Sequence, residues 1–151
     1  MNPQLQQILI HSIGAFGGTL GYAFLLNAPL STVLPASLTG LLGYVLYEAL
    51  VGFASCGVIF SYFIATVVIT VLCEIAARIM RMPSTIFLLT ALVPLVPGYT
   101  FYCAMLSLVE NSGQAAASYG LEAVQIVAAI AVGAAVTSVV FRALTVRRKH
   151  A

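Results

Sequence analysis

Residues 91–102 read Ala-Leu-Val-Pro-Leu-Val-Pro-Gly-Tyr-Thr-Phe-Tyr, an apolar run interrupted by Pro94, Pro97 and Gly98. Neither proline can donate a hydrogen bond to the carbonyl four residues before it, so an α-helix cannot pass through this stretch unbroken. In hydrocarbon each backbone group without a partner costs several kcal/mol, and a broken segment there must be buried in protein or line a polar cavity. The meaning of the break therefore depends on whether this run lies in a membrane.

The composition places the chain in a membrane. Of its 151 residues, 62% are hydrophobic and only 7% are charged, whereas soluble domains carry about 25% charged residues. Such a chain cannot cover a surface that faces water. Its net charge of +2 is too small to indicate binding to nucleic acid. The sequence therefore predicts an all-α, polytopic membrane protein, with residues 1–151 forming a single transmembrane domain in contact with lipid.

Five apolar runs are long enough to cross a bilayer, which takes about 20 residues. They cover approximately residues 5–26, 34–53, 58–79, 84–108 and 118–144, and the fourth contains the break between Pro94 and Gly98. The runs are apolar on all faces, which excludes a soluble helical bundle. Because the first ten residues contain no Lys or Arg, we expect the first run to be retained rather than cleaved as a signal.

The basic residues predict the orientation of these five spans. All six of them, Arg78, Arg81, Arg142, Arg147, Arg148 and Lys149, then fall on one side of the membrane. By the positive-inside rule this side and the C-terminus are cytoplasmic, and the N-terminus lies outside. We expect the protein in the plasma membrane, which is the inner membrane of a cell that has two.

Two interpretations of the break remain open. In secondary transporters a half-helix begins at such a break, and its N–H groups and positive dipole end bind a carboxylate. On this interpretation the candidate substrate-binding residues are Thr90, Pro94, Pro97, Gly98, Tyr99 and Thr100. Alternatively the helix is merely kinked, its free carbonyls accept hydrogen bonds from neighbouring hydroxyl groups, and the tyrosines only pack.

Two carboxylates inside the predicted spans are candidates for coupling transport to an ion. Glu48 lies well inside the second span, and intramembrane carboxylates are costly and mark ion or substrate pathways by default. Burial favours the neutral form of a carboxyl group, so Glu48 is suited to carry a proton; alternatively it hydrogen-bonds to a partner helix. Glu74 is the second candidate, although Arg78 four residues later also suits a structural ion pair.

No motif for catalysis, a metal or a cofactor is present. The sequence has no H-E-x-x-H, G-x-S-x-G or P-loop pattern, and its three cysteines form no ligand cluster. We therefore expect neither an enzyme nor a bound cofactor.

In the first span Gly14 and Gly18, and likewise Gly17 and Gly21, have the spacing of closely packed helices, with His11 as a nearby polar contact.

The stretch of residues 83–105, with Pro-Leu-Val-Pro-Gly at 94–98, resembles the signature of the threonine/serine exporter (ThrE) family. Length, predicted spans and basic C-terminus resemble the small-subunit type, which is similar to the C-terminal half of full-length members. The resemblance implies export of threonine and serine, or of small dicarboxylates such as succinate, driven by the proton-motive force. It also implies a larger partner subunit of the same family that carries a soluble domain, with a homo-oligomer as the alternative.

Two functions from different classes are therefore open. The first is half of a secondary exporter for small polar metabolites that carry a carboxylate. An odd number of spans favours it, because two such units can pair with opposite topology, as the inverted repeats of many transporters do. The second is a scaffold or assembly subunit that transports nothing and stabilises a partner transporter through its Gly-rich and Ala-rich helix faces.

Overall fold

A computed structural model describes residues 3–52 and 57–149 of the chain, and every regular element in these ranges is helical. The elements are α1 (Pro3–Leu25), α2 (Leu30–Gly52), α3 (Val58–Met80), α4 (Ser84–Ala91), a 3₁₀ turn (Val93–Leu95), α5 (Gly98–Val109) and α6 (Gly113–Lys149). The prediction of an all-α protein is confirmed. The predicted link after the second span lies mostly outside the described residues.

The structure supports fewer membrane spans than the five predicted. Three helices, α2, α3 and α6, are long and apolar enough to cross a bilayer, and α4 with α5 makes a fourth crossing when this bent pair is counted as one span. Helix α1 is as long as α2 and α3, at 23 residues each, but it is not among these candidates. Three or four spans therefore follow from the structure, and the fifth stays a prediction.

Two helices begin earlier than their apolar runs indicate. Helix α2 starts at Leu30, inside the predicted turn, and the Thr32 N–H and hydroxyl both donate to the Pro29 carbonyl, at 2.7 and 2.8 Å. A proline beside the first helical residue has no N–H to lose there. Helix α6 starts at Gly113 rather than near residue 118, shortly after Asn111 reverses the chain with a φ of 56°. Both helices begin in stretches that contain polar residues, so a prediction based on hydropathy placed their starts too late.

The core lies where α2, α3 and α4 meet. Helix α2 packs against α1 and α3, α4 packs against α2 and α3, and α6 packs against α3 and α5. The buried core side chains are mostly small, and they are Ala36, Ala65, Ile69, Cys73, Ala77, Phe87, Ala91 and Leu95. Small side chains let helix backbones approach closely, which is how helices gain packing energy in a membrane.

Polar and apolar side chains are distributed as a lipid environment requires. Large apolar side chains face outward, and Ile13, Leu30 and Ile79 are between 72% and 77% exposed. Inside, the hydroxyls of several buried residues donate to the carbonyl four residues earlier in their own helix: Thr19, Thr39, Thr70, Thr90 and Thr137. These hydroxyls are therefore satisfied without water, and the helices can pack with polar residues between them.

One close helix contact is made by a glycine that the spacing motifs did not identify. A β-carbon at Gly40 of α2 would lie 3.1 Å from the Ala91 carbonyl oxygen and 3.0 Å from the Thr19 hydroxyl oxygen. By contrast, a β-carbon at any of the predicted packing glycines would meet open space, and these are Gly14, Gly17, Gly18 and Gly21. The expected glycine contact of α1 is therefore not made with another helix of this chain.

The basic residues described in the structure support one part of the predicted topology. Arg78 of α3 donates through Nη2 to the Phe141 carbonyl of α6 at 3.3 Å, and its guanidinium lies 5.1 Å from the centre of the Phe141 ring. Arg142 follows directly, so both basic clusters begin at the same end of the helix bundle. Which side of the membrane this end faces stays a prediction, as does the ion pair between Glu74 and Arg78.

The contact at Gly40 gives the first testable prediction. Gly40→Val is expected to lower stability by about 1–3 kcal/mol, because overpacking would push α2 away from the Ala91 carbonyl. The measurement is the melting temperature of the detergent-solubilised protein. Gly18→Val is the matched control, since it adds the same side chain to α1 where space is open. Equal melting temperatures for the two variants would contradict the assignment of Gly40 as a packing residue.

Candidate functional site

The break in the fourth span separates α4 from α5 and bends their axes by 52°. After Ala91 the chain tightens into the 3₁₀ turn, in which the Leu95 N–H donates to the Leu92 carbonyl at 2.9 Å. Val96 is extended, the conformation that a residue preceding proline favours, and α5 begins directly after Pro97. The predicted break and the predicted start of the second half-helix are both confirmed.

The break removes two α-helical hydrogen bonds in the protein interior. Pro94 has no N–H to offer the Thr90 carbonyl, and the Leu95 N–H, which would reach Ala91 in a regular α-helix, is turned to Leu92 instead. Thr90 and Ala91 are both fully buried. The Ala91 carbonyl oxygen lies against Gly40, so α2 covers the point at which the helix opens.

A cavity of about 300 Å³ lies beside the break. Its lining comes from three elements: Ile10, His11, Gly14 and Ala15 from α1, Tyr44 from α2, and Pro94 from the 3₁₀ turn. Gly14 has no side chain, so the backbone of α1 forms part of the wall. The volume is at the lower end of the range for ligand pockets, about 300–1,000 Å³, and therefore suits a small molecule.

Two of these lining residues, His11 and Tyr44, contact Glu48 of α2, and we call the three the His11–Tyr44–Glu48 cluster. The Tyr44 hydroxyl donates to Glu48 Oε1 at 2.8 Å, and His11 Nδ1 lies 3.5 Å from the same oxygen. The side chain of Glu48 is 25% exposed and that of His11 is 55% exposed. The cluster is therefore accessible from the cavity and is not closed inside the core.

A row of tyrosine rings extends the cluster from α2 to α3. The ring centres of Tyr44 and Tyr47 are 6.1 Å apart, and those of Tyr47 and Tyr62 are 4.3 Å apart. Since Tyr62 belongs to the first half of α3, these contacts fix the height of the cluster in the bundle. It lies toward the end opposite Arg78, which is in the last turn of the same helix.

The structure brings only one of the predicted substrate-binding residues, Pro94, to this cavity. Thr90 is fully buried and its hydroxyl donates to the Ile86 carbonyl at 2.8 Å. Pro97 lines a different cavity of about 380 Å³, which is mostly apolar and lies between the break and α6. At the start of α5, Gly98 is exposed and Thr100 half-buried, while Tyr99 is 79% exposed.

The two predicted coupling carboxylates have different surroundings. Glu48 belongs to the cluster described above, with partners from α1 and α2. Glu74 is half-buried on α3, next to the buried Cys73, and is not among the residues that line the cavity beside the break. Neither carboxylate lines the cavity itself, but Glu48 contacts His11 and Tyr44, which do.

Sequence reasoning missed the roles of His11 and Gly14, which it assigned to a surface contact and to packing. The short turn at Ala28 contained the information needed to place His11 next to α2. A short turn makes α1 and α2 antiparallel neighbours, and His11 and Tyr44 are separated from Ala28 by nearly equal numbers of residues. Residues at equal distances from such a turn lie at the same height, so His11 could have been placed beside Tyr44.

Comparison with known proteins gives one match. The model of the family described as Threonine/Serine exporter, ThrE, matches residues 11–140, a range that begins at His11 and contains both Glu48 and the break. No curated protein and no solved structure matches the chain.

The cavity predicts a difference in water access between two neighbouring positions of α1. In a variant without the native cysteines, Gly14→Cys is expected to react with a charged, water-soluble thiol reagent, because it lines the cavity beside polar side chains. Ile13→Cys is the control, since position 13 is 72% exposed on an apolar face that lipid would cover. The measurement is the labelling rate in intact membranes. Equal rates at the two positions would mean that the cavity holds no more water than the lipid-facing surface.

Proposed function

The chain belongs to the threonine/serine exporter family, and from this premise we propose that it forms half of a secondary transporter for small polar metabolites that carry a carboxylate. Threonine and serine are the first expected solutes, and small dicarboxylates such as succinate are the second. One observation carries the proposal: a cavity at a helix break, lined by His11, Tyr44 and Pro94, in which His11 and Tyr44 contact Glu48.

The physical case rests on what a polar solute needs inside a bilayer. It must exchange water for protein groups, and ionisable residues in a membrane interior mark such pathways. A broken helix adds backbone polar groups at the same depth, which transporters use for binding. Buried threonines such as Thr70 and Thr90 donate within their own helices and are unavailable to a solute, whereas His11 and Tyr44, which contact Glu48, line a cavity of suitable size.

We further propose that a larger subunit of the same family, carrying a soluble domain, completes the transport pathway. Surfaces on both sides of the break are open in the single chain: Tyr99 is 79% exposed at the start of α5, and the glycines of α1 face open space. Glycine faces of this kind suit a close contact with another membrane helix. A second copy of this chain is the alternative partner. The proposed location is the inner membrane, with the C-terminus in the cytoplasm.

Efflux from preloaded cells tests the transport function. Labelled threonine, serine and succinate are loaded into cells that express this chain, a candidate larger subunit, or both. Efflux only from cells with both is the expected result, and it would also identify the solute. Efflux from this chain alone would mean that a homo-oligomer suffices. Efflux from the larger subunit alone, unchanged in rate when this chain is added, would refute transport by this chain and leave the scaffold function.

The role of the break is tested by restoring the missing N–H groups. Pro94→Ala combined with Pro97→Ala is expected to reduce efflux about tenfold or more, because a tenfold loss corresponds to about 1.4 kcal/mol, the size of one hydrogen bond. Pro35→Ala is the control, since this proline lies inside α2, away from the break. Membrane abundance of each variant is measured in parallel. Wild-type efflux from the double variant would show that the break is only a kink.

A further inference from the structure

We propose that Glu48 selects solutes that carry an amine, and that the ammonium group of the solute and a proton compete for its carboxylate. This inference rests on the transport function proposed above and deepens it, because it names the chemical class of the solute and the origin of the coupling. It favours zwitterionic amino acids over dicarboxylates, which the sequence left as equal alternatives.

The first argument is the incomplete set of partners around the Glu48 carboxylate. The described contacts converge on one oxygen, Oε1, which accepts the Tyr44 hydroxyl at 2.8 Å and has His11 Nδ1 at 3.5 Å. The latter distance is longer than the usual 2.7–3.2 Å of an N–H···O hydrogen bond, so His11 holds this oxygen only weakly. An ionised carboxylate has about four acceptor positions, and an ammonium group supplies three donors. The geometry thus suits an ammonium group placed against Glu48 from the cavity.

The second argument is the charge balance around Glu48. Among the residues that the structure describes, the groups that face it are His11 from α1 and Tyr44 and Tyr47 from α2, with Tyr62 of α3 behind Tyr47; the 3₁₀ turn contributes Pro94, which has no titratable group. The arginines whose side chains are described lie at the other end of the bundle. Arg78 follows Tyr62 by 16 residues in α3, which is about 24 Å at 1.5 Å per residue.

This charge balance decides between the solute classes. A zwitterion brings an ammonium group that neutralises Glu48 and leaves its carboxylate for the groups around the break. A dicarboxylate brings two negative charges and no cation, so one of them must approach Glu48 or remain in the same small cavity. Like charges at such distances repel strongly where water is scarce. Glu48 therefore admits serine or threonine and disfavours succinate.

The same group then provides the coupling. When a proton binds a carboxylate oxygen of Glu48, the negative charge disappears and the ammonium group loses its ionic partner, so the solute leaves with its own protons. When the proton dissociates, the carboxylate is again able to bind the next ammonium group. Because one carboxylate holds either a proton or the ammonium group of a solute, binding of one displaces the other. Exchange of one proton for one amino acid follows from this competition.

Efflux selectivity is the first test. Cells with both subunits are preloaded with labelled L-serine or with glycerate, in which a hydroxyl replaces the amine of serine. Glu48→Gln, which keeps the shape and removes the charge, is expected to lower the ratio of serine to glycerate efflux about tenfold or more, the effect of one charge-assisted hydrogen bond. Glu48→Asp, which keeps the charge, should restore much of the ratio. Glu122→Gln, a half-buried carboxylate of α6, is the matched control and should leave the ratio unchanged.

Binding at different pH values is the second test. Labelled serine is bound to the purified two-subunit complex in detergent at two pH values one unit apart. In the wild type the lower pH is expected to weaken serine binding, because protons occupy Glu48. In Glu48→Gln the binding should be weak at both values and independent of pH. His11→Gln should keep the pH dependence, which separates Glu48 from its neighbour.

The outcomes distinguish this inference from the function on which it rests. If wild-type cells export neither serine nor threonine, the proposed function is wrong and the inference falls with it. If they export serine but Glu48→Gln lowers serine and glycerate efflux equally, Glu48 is only structural and the inference alone is overturned. A pH dependence of serine binding that survives in Glu48→Gln would likewise overturn the competition with protons.

Discussion

A backbone carbonyl that loses its helical donor inside a membrane must be covered by another part of the protein, and this constraint determines how the helices around the break are arranged. At Ala91 the cover is the backbone of α2 at Gly40, with Thr19 of α1 completing the junction. A β-carbon at position 40 would lie 3.1 Å from the Ala91 carbonyl oxygen, so a larger residue there would require the neighbouring backbone to shift. The contact therefore holds α1, α2 and α4 together at the point where the helix opens, and the cavity lies next to it.

Two kinds of polar residue are present in this interior, and they have different consequences. Hydroxyls such as those of Thr70 and Thr90 donate to carbonyls of their own helices, so they add little polarity that a solute would meet. The ionised carboxylate of Glu48 has no proton and cannot donate to a carbonyl of its own helix. It draws Tyr44 from the same helix and His11 from α1, and both of these partners line the cavity beside the break.

Proline chemistry and apolar run length were sufficient to predict the helices and the break, because both act within a few residues of sequence. The neighbours of the break were not predictable in the same way. Spacing motifs identified the glycines of α1, which face open space, and passed over Gly40, which makes the close contact. The motif requires only a spacing, whereas the contact depends on which face of α2 the broken helix approaches. Thr90 shows a related limit of sequence-based prediction. Although its hydroxyl lies next to the break, it donates to the Ile86 carbonyl of its own helix.

The surroundings of Glu48 are what its proposed roles in recognition and coupling depend on. An ionised carboxylate without a permanent cation is unstable at membrane depth, and here the arginines lie at the far end of the bundle. Two occupants remove that cost: a proton, which abolishes the charge, or an ammonium group, which balances it. In the proposed exchange the helices move while Glu48 carries one of these two occupants. An exchanger needs such a restriction, and in the proposal it comes from the same carboxylate that distinguishes an amino acid from a dicarboxylate.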